Sequence, residues 1–308
     1  MRRKLNLTLL ALIVLIGAPY YWLMLDNRPG QAQPKPVTIT QLRELAQSMP
    51  GPAPSAAEVE LVAYRELPGN LFAAGSGMRN ALIGIMAWRL PVPDGRAIMI
   101  DGGITARDAR EIEVDRFFRD RQDRVNAALR DAGIVLATHE HGDHQGAIVQ
   151  AGGDVVRKRA WFNPGQLPPS PYATQLRWGS QPVPTPRIRP GPPQAVAPGV
   201  VVVPAPSHTP GSQMVFVRLG NGREFLFTGD IATLQTSWQD LRARARLVGD
   251  IIAPENRAEV HAWLKTIKAL KAQAPGLVVI PGHDWRTIVS DPEIVSSIRI
   301  GFGQQPTG

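Results

Sequence analysis

The segment IVLATHEHGDHQGA, residues 134–147, constrains this chain more than any other. An apolar, strand-like run stops and delivers His139, His141, Asp143 and His144 within six positions. The whole chain has six histidines, so half of them sit in one turn. Three imidazoles and a carboxylate in that pattern exceed chance in so histidine-poor a sequence. They are also the donor types that hold divalent metals.

Two of the remaining histidines follow the same grammar. VVVVPAPSHTPG presents His208 after an apolar run, EFLFTGD presents Asp230, and LVVIPGHD presents His283. The third, His261, falls inside an amphipathic helical pattern and reads as an ordinary packed residue. Further strand patterns are EVELVAYREL, ALIGIMAWRL and AIMIDGG, and a charged amphipathic helix is expected from about 109 to 132. Strands interspersed with a few helices argue for a layered α/β protein. Four strand ends can then converge on one sheet edge, where a rigid scaffold holds the loops. Five imidazoles and two carboxylates exceed the four donors of a closed zinc site. They suit two ions that share a bridging carboxylate and a bridging water.

The N-terminus adds a location. MRRK precedes LNLTLLALIVLIGAPYYWLML, about twenty-one uncharged residues, long enough to cross a bilayer as a helix. Arg2, Arg3 and Lys4 are expected to stay cytoplasmic, with Tyr20, Tyr21 and Trp22 at the opposite interface. A cleaved signal peptide is the competing reading, but Pro19 directly follows the best small-residue site, LIGA. The expectation is therefore a single-pass inner-membrane anchor over 1–25, with the rest of the chain in the periplasm. Residues 26–57 read as a Pro-rich tether with a short helix capped by Thr38, residues 58–290 as the catalytic domain, and 291–308 as a tail. Within the domain, 163–199 holds eleven of the 29 prolines and reads as a long active-site loop. In it or just before it, Trp161, Phe162, Tyr172 and Trp178 are candidates for an apolar wall, and Arg177, Arg187 and Arg189 for receiving an anion. Absence of cysteine excludes disulfides and thiolate ligands. The net charge of +8 comes mostly from arginines interleaved with acids, so a nucleic-acid partner is not expected. Oligomeric state is not encoded legibly.

The order H-x-H-x-D-H, HTPG, TGD, PGHD resembles the metallo-β-lactamase-fold hydrolases from about residue 58 to 290, and AIMIDGG resembles their early strand ending in an aspartate, here Asp101. The resemblance implies an αββα sandwich with a metal pair at one edge. It would assign His139, His141 and His208 to one ion, Asp143, His144 and His283 to the other, and Asp230 to the bridge. Asp101 would orient a histidine. Two divalent ions, most suitably zinc, about 3.5–4 Å apart would yield a bridging hydroxide, with Asp143 or Asp230 shuttling a proton. The stretch from 227 to 284 is most similar to N-acyl homoserine lactone lactonases and glyoxalase II-like members, although Ser212 and Thr233 stand where those carry histidine and tyrosine. An ester or lactone carbonyl in a small molecule is therefore the expected substrate. Phosphodiester, thioester and β-lactam hydrolysis are the alternatives, and a non-catalytic zinc-binding role comes last.

Overall fold

A computed structural model describes residues 2–28, 30–93, 95–180 and 182–303 of the 308. Its strands run in chain order β1 Glu58–Pro68, β2 Asn80–Leu90, β3 Ile98–Ile100, β4 Arg116–Phe117, β5 Ile134–Leu136, β6 Gln194–Ala197, β7 Val200–Pro204, β8 Gln213–Arg218, β9 Glu224–Phe227, β10 Leu277–Ile280 and β11 Arg299–Ile300. They form two sheets. One is ordered β11-β1-β2-β3-β5 with β4 also on β1, and the other is ordered β10-β9-β8-β7-β6.

The apolar runs explain the layering. In β7, β8 and β9 successive side chains point to opposite faces, and both faces are apolar because both are covered. Val202, Val215, Val217, Phe225 and Phe227 meet Leu61, Trp88, Ile100 and Leu136 of the facing sheet. Val201, Met214, Phe216 and Leu226 point the other way, onto the helix Arg257–Gln273 and the helix Ile39–Gln47. The outer face of the first sheet is covered by the helices Arg119–Asp131 and Ala147–Ala151 through Val125, Leu129, Ile148 and Val149. The result is the expected αββα sandwich.

Several boundaries differ from the sequence reading. The helix expected over 109–132 is two helices, Ala106–Glu111 and Arg119–Asp131. Glu113 adopts a left-handed backbone and the intervening residues pair as β4 with Ala63 and Tyr64. Strand pairing with the long β1 outweighs local helix propensity there. The stretch read as a tail begins with the short helix Pro292–Val295 and continues as β11, parallel to β1; residues 304–308 lie outside the described residues. The Pro-rich stretch 163–199 contains the one-turn helix Pro164–Gln166, the helix Pro171–Gln175 and β6.

The segment read as a tether lies against the domain. Thr38 caps the helix Ile39–Gln47 by accepting from Gln41 N–H. Thr266 Oγ1 accepts from Lys35 N–H, and Gln273 accepts from Ile39 N–H. Residues Arg2–Leu25 form one helix, including π-helical stretches. Its Lys4–Leu25 span has a mean hydropathy of 2.0, with only 6% of the best window buried.

His261 is buried in the Arg257–Gln273 helix, and neither of its ring nitrogens has a partner among the described residues. Burial holds its pKa down to about 4, helped by Arg257. The folded chain thus keeps it neutral, while the unfolded chain protonates it below about pH 6.5. Stability is therefore lost as pH falls from about 6.5 toward 4, by up to roughly 3 kcal/mol. We expect His261→Leu to blunt this acid limb and to stabilise the chain by about 1 kcal/mol at neutral pH, because two unsatisfied polar atoms disappear. Urea denaturation at pH 7.5 and pH 5 checks both; an unchanged acid limb would show that other groups set it.

Candidate metal centre

The sheet topology explains why seven distant residues meet. β7 and β9 are both antiparallel to β8, and β10 is parallel to β9, so the C-terminal ends of all three lie at one edge. β3 and β5 are parallel and end at the same edge of the facing sheet. His208, Asp230 and His283 follow the first group, and Asp101 and the His139–His144 turn follow the second.

Two clusters result. His139, His141, His208 and Asp230 offer ligand atoms within 4.8 Å of one another, and Asp143, His144 and His283 do the same. Asp230 connects them. Its Oδ2 lies 3.6 Å from His208 Nε2 and 3.9 Å from His139 Nε2, while its Oδ1 lies 2.9 Å from His283 Nε2 and 3.6 Å from His144 Nε2. Each carboxylate oxygen thus faces one cluster. Asp143 Oδ2 stands 3.6 Å from His283 Nε2 and 3.8 Å from His144 Nε2, and it is the more exposed of the two acids. Glycines make room for the bridge: a Cβ on Gly282 would lie 2.6 Å from Asp230 Oδ1, and one on Gly229, which has a left-handed backbone, would strike Thr138.

The outer ring nitrogens are tied back. His283 Nδ1 lies 2.7 Å from Gly84 O, His208 Nδ1 lies 2.9 Å from Glu255 Oε2, and His144 Nδ1 lies 2.9 Å from Asp101 Oδ2. Each contact holds a proton on Nδ1 and turns Nε2 inward, the nitrogen a cation would take. Inside, imidazole nitrogens face one another: His139 Nε2 to His141 Nδ1 at 2.9 Å, His208 Nε2 to His141 Nδ1 at 3.2 Å, and His144 Nε2 to His283 Nε2 at 3.1 Å. Asp230 Oδ1 is buried without a hydrogen-bond partner. Converging lone pairs around an unsatisfied carboxylate oxygen fit divalent cations.

Electrostatics agree with that fit. Burial holds His139 and His208 well below the usual histidine range and brings His141 down to about 4, so all three offer lone pairs at neutral pH. Burial would also lower His144, but Asp101 and Asp143 outweigh it and lift His144 to about 10. The carboxylates on that side call for positive charge. Asp101 is itself strained into place, with φ 61°, and accepts from Thr138 N–H at 2.6 Å.

Other groups at the site were not read from the sequence. Arg244 is buried against it: its Nη2 donates to Asp230 Oδ2 at 2.5 Å, and both Nε and Nη2 reach Thr233 Oγ1 at 3.3 Å. Its one advance signal was LRARARL, where it sits between Ala243 and Ala245, both buried. Burial pushes the Glu255 carboxyl up to about 7 while Arg244 and Arg257 pull it down. Glu140, at a position the sequence left without a role, accepts from Thr209 Oγ1 and Gly211 N–H and so holds the loop that carries His208.

The expected aromatic wall is reduced to one residue. Tyr172 packs edge-on against His141, with centroids 4.7 Å apart, and its hydroxyl donates to Pro254 O. Phe162 and Trp178 are buried in the core outside the first sheet, and Trp161 packs on the core between the sheets. Two of the three arginines are engaged elsewhere: Arg177 pairs with Asp108 and Glu111, and Arg187 donates to the carbonyls of Arg157 and Lys158. Only the backbone of Arg189 is tied, to Gln194. Beside His141 and Tyr172 opens a cleft of about 240 Å³ that Ile112, Leu176 and Arg177 also line.

Glu255→Gln is expected to lower zinc affinity about 10–100-fold, the usual effect of removing a carboxylate behind a histidine ligand. Competition against a chromophoric chelator measures it. Unchanged affinity would mean that His208 is oriented without Glu255.

The model of the metallo-beta-lactamase superfamily matches residues 89–283. No curated protein matches the chain. Among solved structures, a quorum-quenching N-acyl homoserine lactone lactonase superposes with TM-score 0.60 at 14% identity, over 77% of this chain and 95% of that one. An N-acyl homoserine lactone hydrolase with N-hexanoyl-L-homoserine bound at its catalytic metal centre gives 0.59 at 14%, over 77% and 96%. A probable metal-dependent hydrolase from Staphylococcus aureus gives 0.53 at 13%, over 77% and 91%. These likenesses are to the fold. The family match covers more than half of the chain, and on that ground the protein belongs to the metallo-β-lactamase superfamily.

Proposed function

We propose that this protein is a binuclear metal-dependent hydrolase, anchored in the inner membrane with its catalytic domain, residues 58–290, in the periplasm. Its proposed substrate is a small molecule with an ester- or lactone-type carbonyl. One observation carries the binuclear reading: the two oxygens of Asp230 face two separate groups of inward-pointing donors. His139, His141 and His208 would hold one ion, and Asp143, His144 and His283 the other. Zinc suits this imidazole-rich set. Bound divalent ions would supply the activated water and polarise the carbonyl oxygen.

The chain's own groups do the rest. Asp101, Glu255 and Gly84 O keep His144, His208 and His283 in the tautomer that binds. Asp143, at the more open side of the site, is placed to pass a proton to the leaving oxygen. Arg244 brings a guanidinium to the same edge as Asp230, suited to a developing or product carboxylate. The lactone class is supported by the printed activity of the structural neighbours, and small-molecule access by the cleft beside His141.

The anchor reading is supported by how the apolar helix ends. Asp26 is buried and paired with Arg28 and Arg246, and Gly75 N–H donates to Met24 O, so the helix end is fastened to the domain. A segment destined for removal needs no such docking.

The test is to purify the full chain in detergent with zinc, determine metal per chain, and assay lactones, thioesters, phosphodiesters and β-lactams side by side. Two zinc ions per chain and turnover of lactones are expected. One ion at saturation would overturn the binuclear reading; preference for a phosphodiester would overturn the substrate class. Release of the protein by alkaline carbonate would overturn the anchor.

A further inference from the structure

Two loops of the domain grip the end of the apolar helix. From residues 74–78, Gly75 N–H bonds Met24 O, and Tyr20 Oη lies 3.4 Å from Met78 Sδ. From residues 242–252, Arg246 pairs with Asp26 at 3.3 Å and lies 5.3 Å over the ring of Trp22. Both loops are therefore fixed at the level of residues 20–26, where Tyr20, Tyr21 and Trp22 would mark a membrane interface.

At that level the loops expose apolar side chains. Met78 is 58% exposed, Ile251 59% and Ile252 68%, among the most exposed large hydrophobic residues described outside the apolar helix. Ile251 ends an i to i+5 step from Arg246 along the π-helix Leu247–Ile252 that Arg246 caps, so it lies one turn from the group stacked on Trp22. Of the cations on these loops, Arg242 pairs with Asp240 and Arg246 with Asp250 and Asp26, while Arg79, next to Met78, is exposed. Three apolar side chains therefore share this face with one exposed cation.

We infer that Met78, Ile251 and Ile252 form a lip that enters the outer boundary of the bilayer and seats the catalytic domain on it. This rests on the anchor reading above: a helix crossing the membrane from Lys4 to Leu25 and fastened at Asp26 leaves no spacer that could lift these loops away. The seat is coupled to the chemistry by chain continuity. Two residues after Ile252, Pro254 O accepts from Tyr172, and Glu255 then orients His208. Arg257, which reaches the carbonyl of Arg244, also reaches that of Asp26. One segment therefore carries the lip at one end and the wall of the metal site at the other.

Because the chain has no cysteine, single-cysteine labels report cleanly. The full chain is reconstituted in phosphatidylcholine vesicles with a polarity-sensitive fluorophore at Ile252→Cys, Met78→Cys or Asn221→Cys. Asn221 follows β8, which starts at the metal edge with Gln213 N–H on Thr138 O, so it lies about 20 Å away at the opposite edge. Labels at 252 and 78 should shift to the blue and fall to below about half intensity with a shallow nitroxide lipid, the depth of an interfacial side chain. The label at 221 should not respond. The effect should be equal with and without phosphatidylglycerol, and Ile251→Asp with Ile252→Asp should abolish it at position 78 while zinc content stays the same. Floating vesicles with all three labels equally exposed would overturn the lip and leave the anchor standing. Failure to float with vesicles would overturn both, and quenching only with anionic lipid would overturn the apolar seat.

Discussion

Asp230→Asn is expected to remove nearly all hydrolysis, by about a thousandfold, the scale on which losing a preorganised charge at a reaction centre falls. The substitution keeps the shape of the side chain and removes its charge. Asp230 Oδ1 faces His283 and His144, and Oδ2 faces His208 and His139, so an amide would present an NH₂ donor to one cluster where both require an acceptor. Zinc should fall below two per chain. The buried Arg244 would lose its anionic partner and keep only Thr233 Oγ1 and ring contacts. His261→Leu serves as the control because it is buried, imidazole-bearing and outside the site; its activity should stay within about threefold, as for a change away from the reacting groups. Metal content and rates of both variants under excess zinc decide the matter. Two bound ions and full activity in the asparagine variant would place the bridge elsewhere.

Arg244→Ala should retain both metal ions yet lower kcat/KM about 10–100-fold, corresponding to about 1.5–3 kcal/mol for a hydrogen bond to a charged group. The guanidinium is held by Thr233 and directed at Asp230, with its Nη1 3.5 Å from His208 Nε2. Arg244→Lys should recover little, because a lysine cannot keep contact with Thr233 and also present a planar fork to a carboxylate. The loss is expected mainly in KM for substrates with a carboxylate or carbonyl next to the scissile bond. Loss of zinc in Arg244→Ala would instead make it a positioning residue for Asp230.

The residues that meet at the candidate metal centre were legible in the sequence because each group of them comes shortly after a strand. Buried strands write themselves as short apolar runs, and their ends are the places where a polar side chain can face solvent and substrate. IVLAT, VVVVPA, EFLF and LVVI are therefore readable one by one, and so are His139, His208, Asp230 and His283 behind them. The layering was readable for the same reason: alternation with apolar residues on both faces requires cover on both faces.

Only the tertiary structure decided the rest. The break of the helix expected at 109–132 depends on pairing with β1, more than fifty residues away in the chain, and β11 exists through pairing with the start of β1. No local signal carries such long-range contacts. Arg244 and Glu255 follow no strand; they reach the site from a segment whose path is set by contacts with Asp26, Leu71 and Ser207. The aromatic residues in and just before the Pro-rich stretch had the composition of a binding wall, yet three of the four are drawn onto the cores, where burying their large apolar area is favourable. Sequence alone determined which atoms can bind metal, because donor chemistry is local. Which charges surround those atoms depended on residues that become neighbours only when the chain folds.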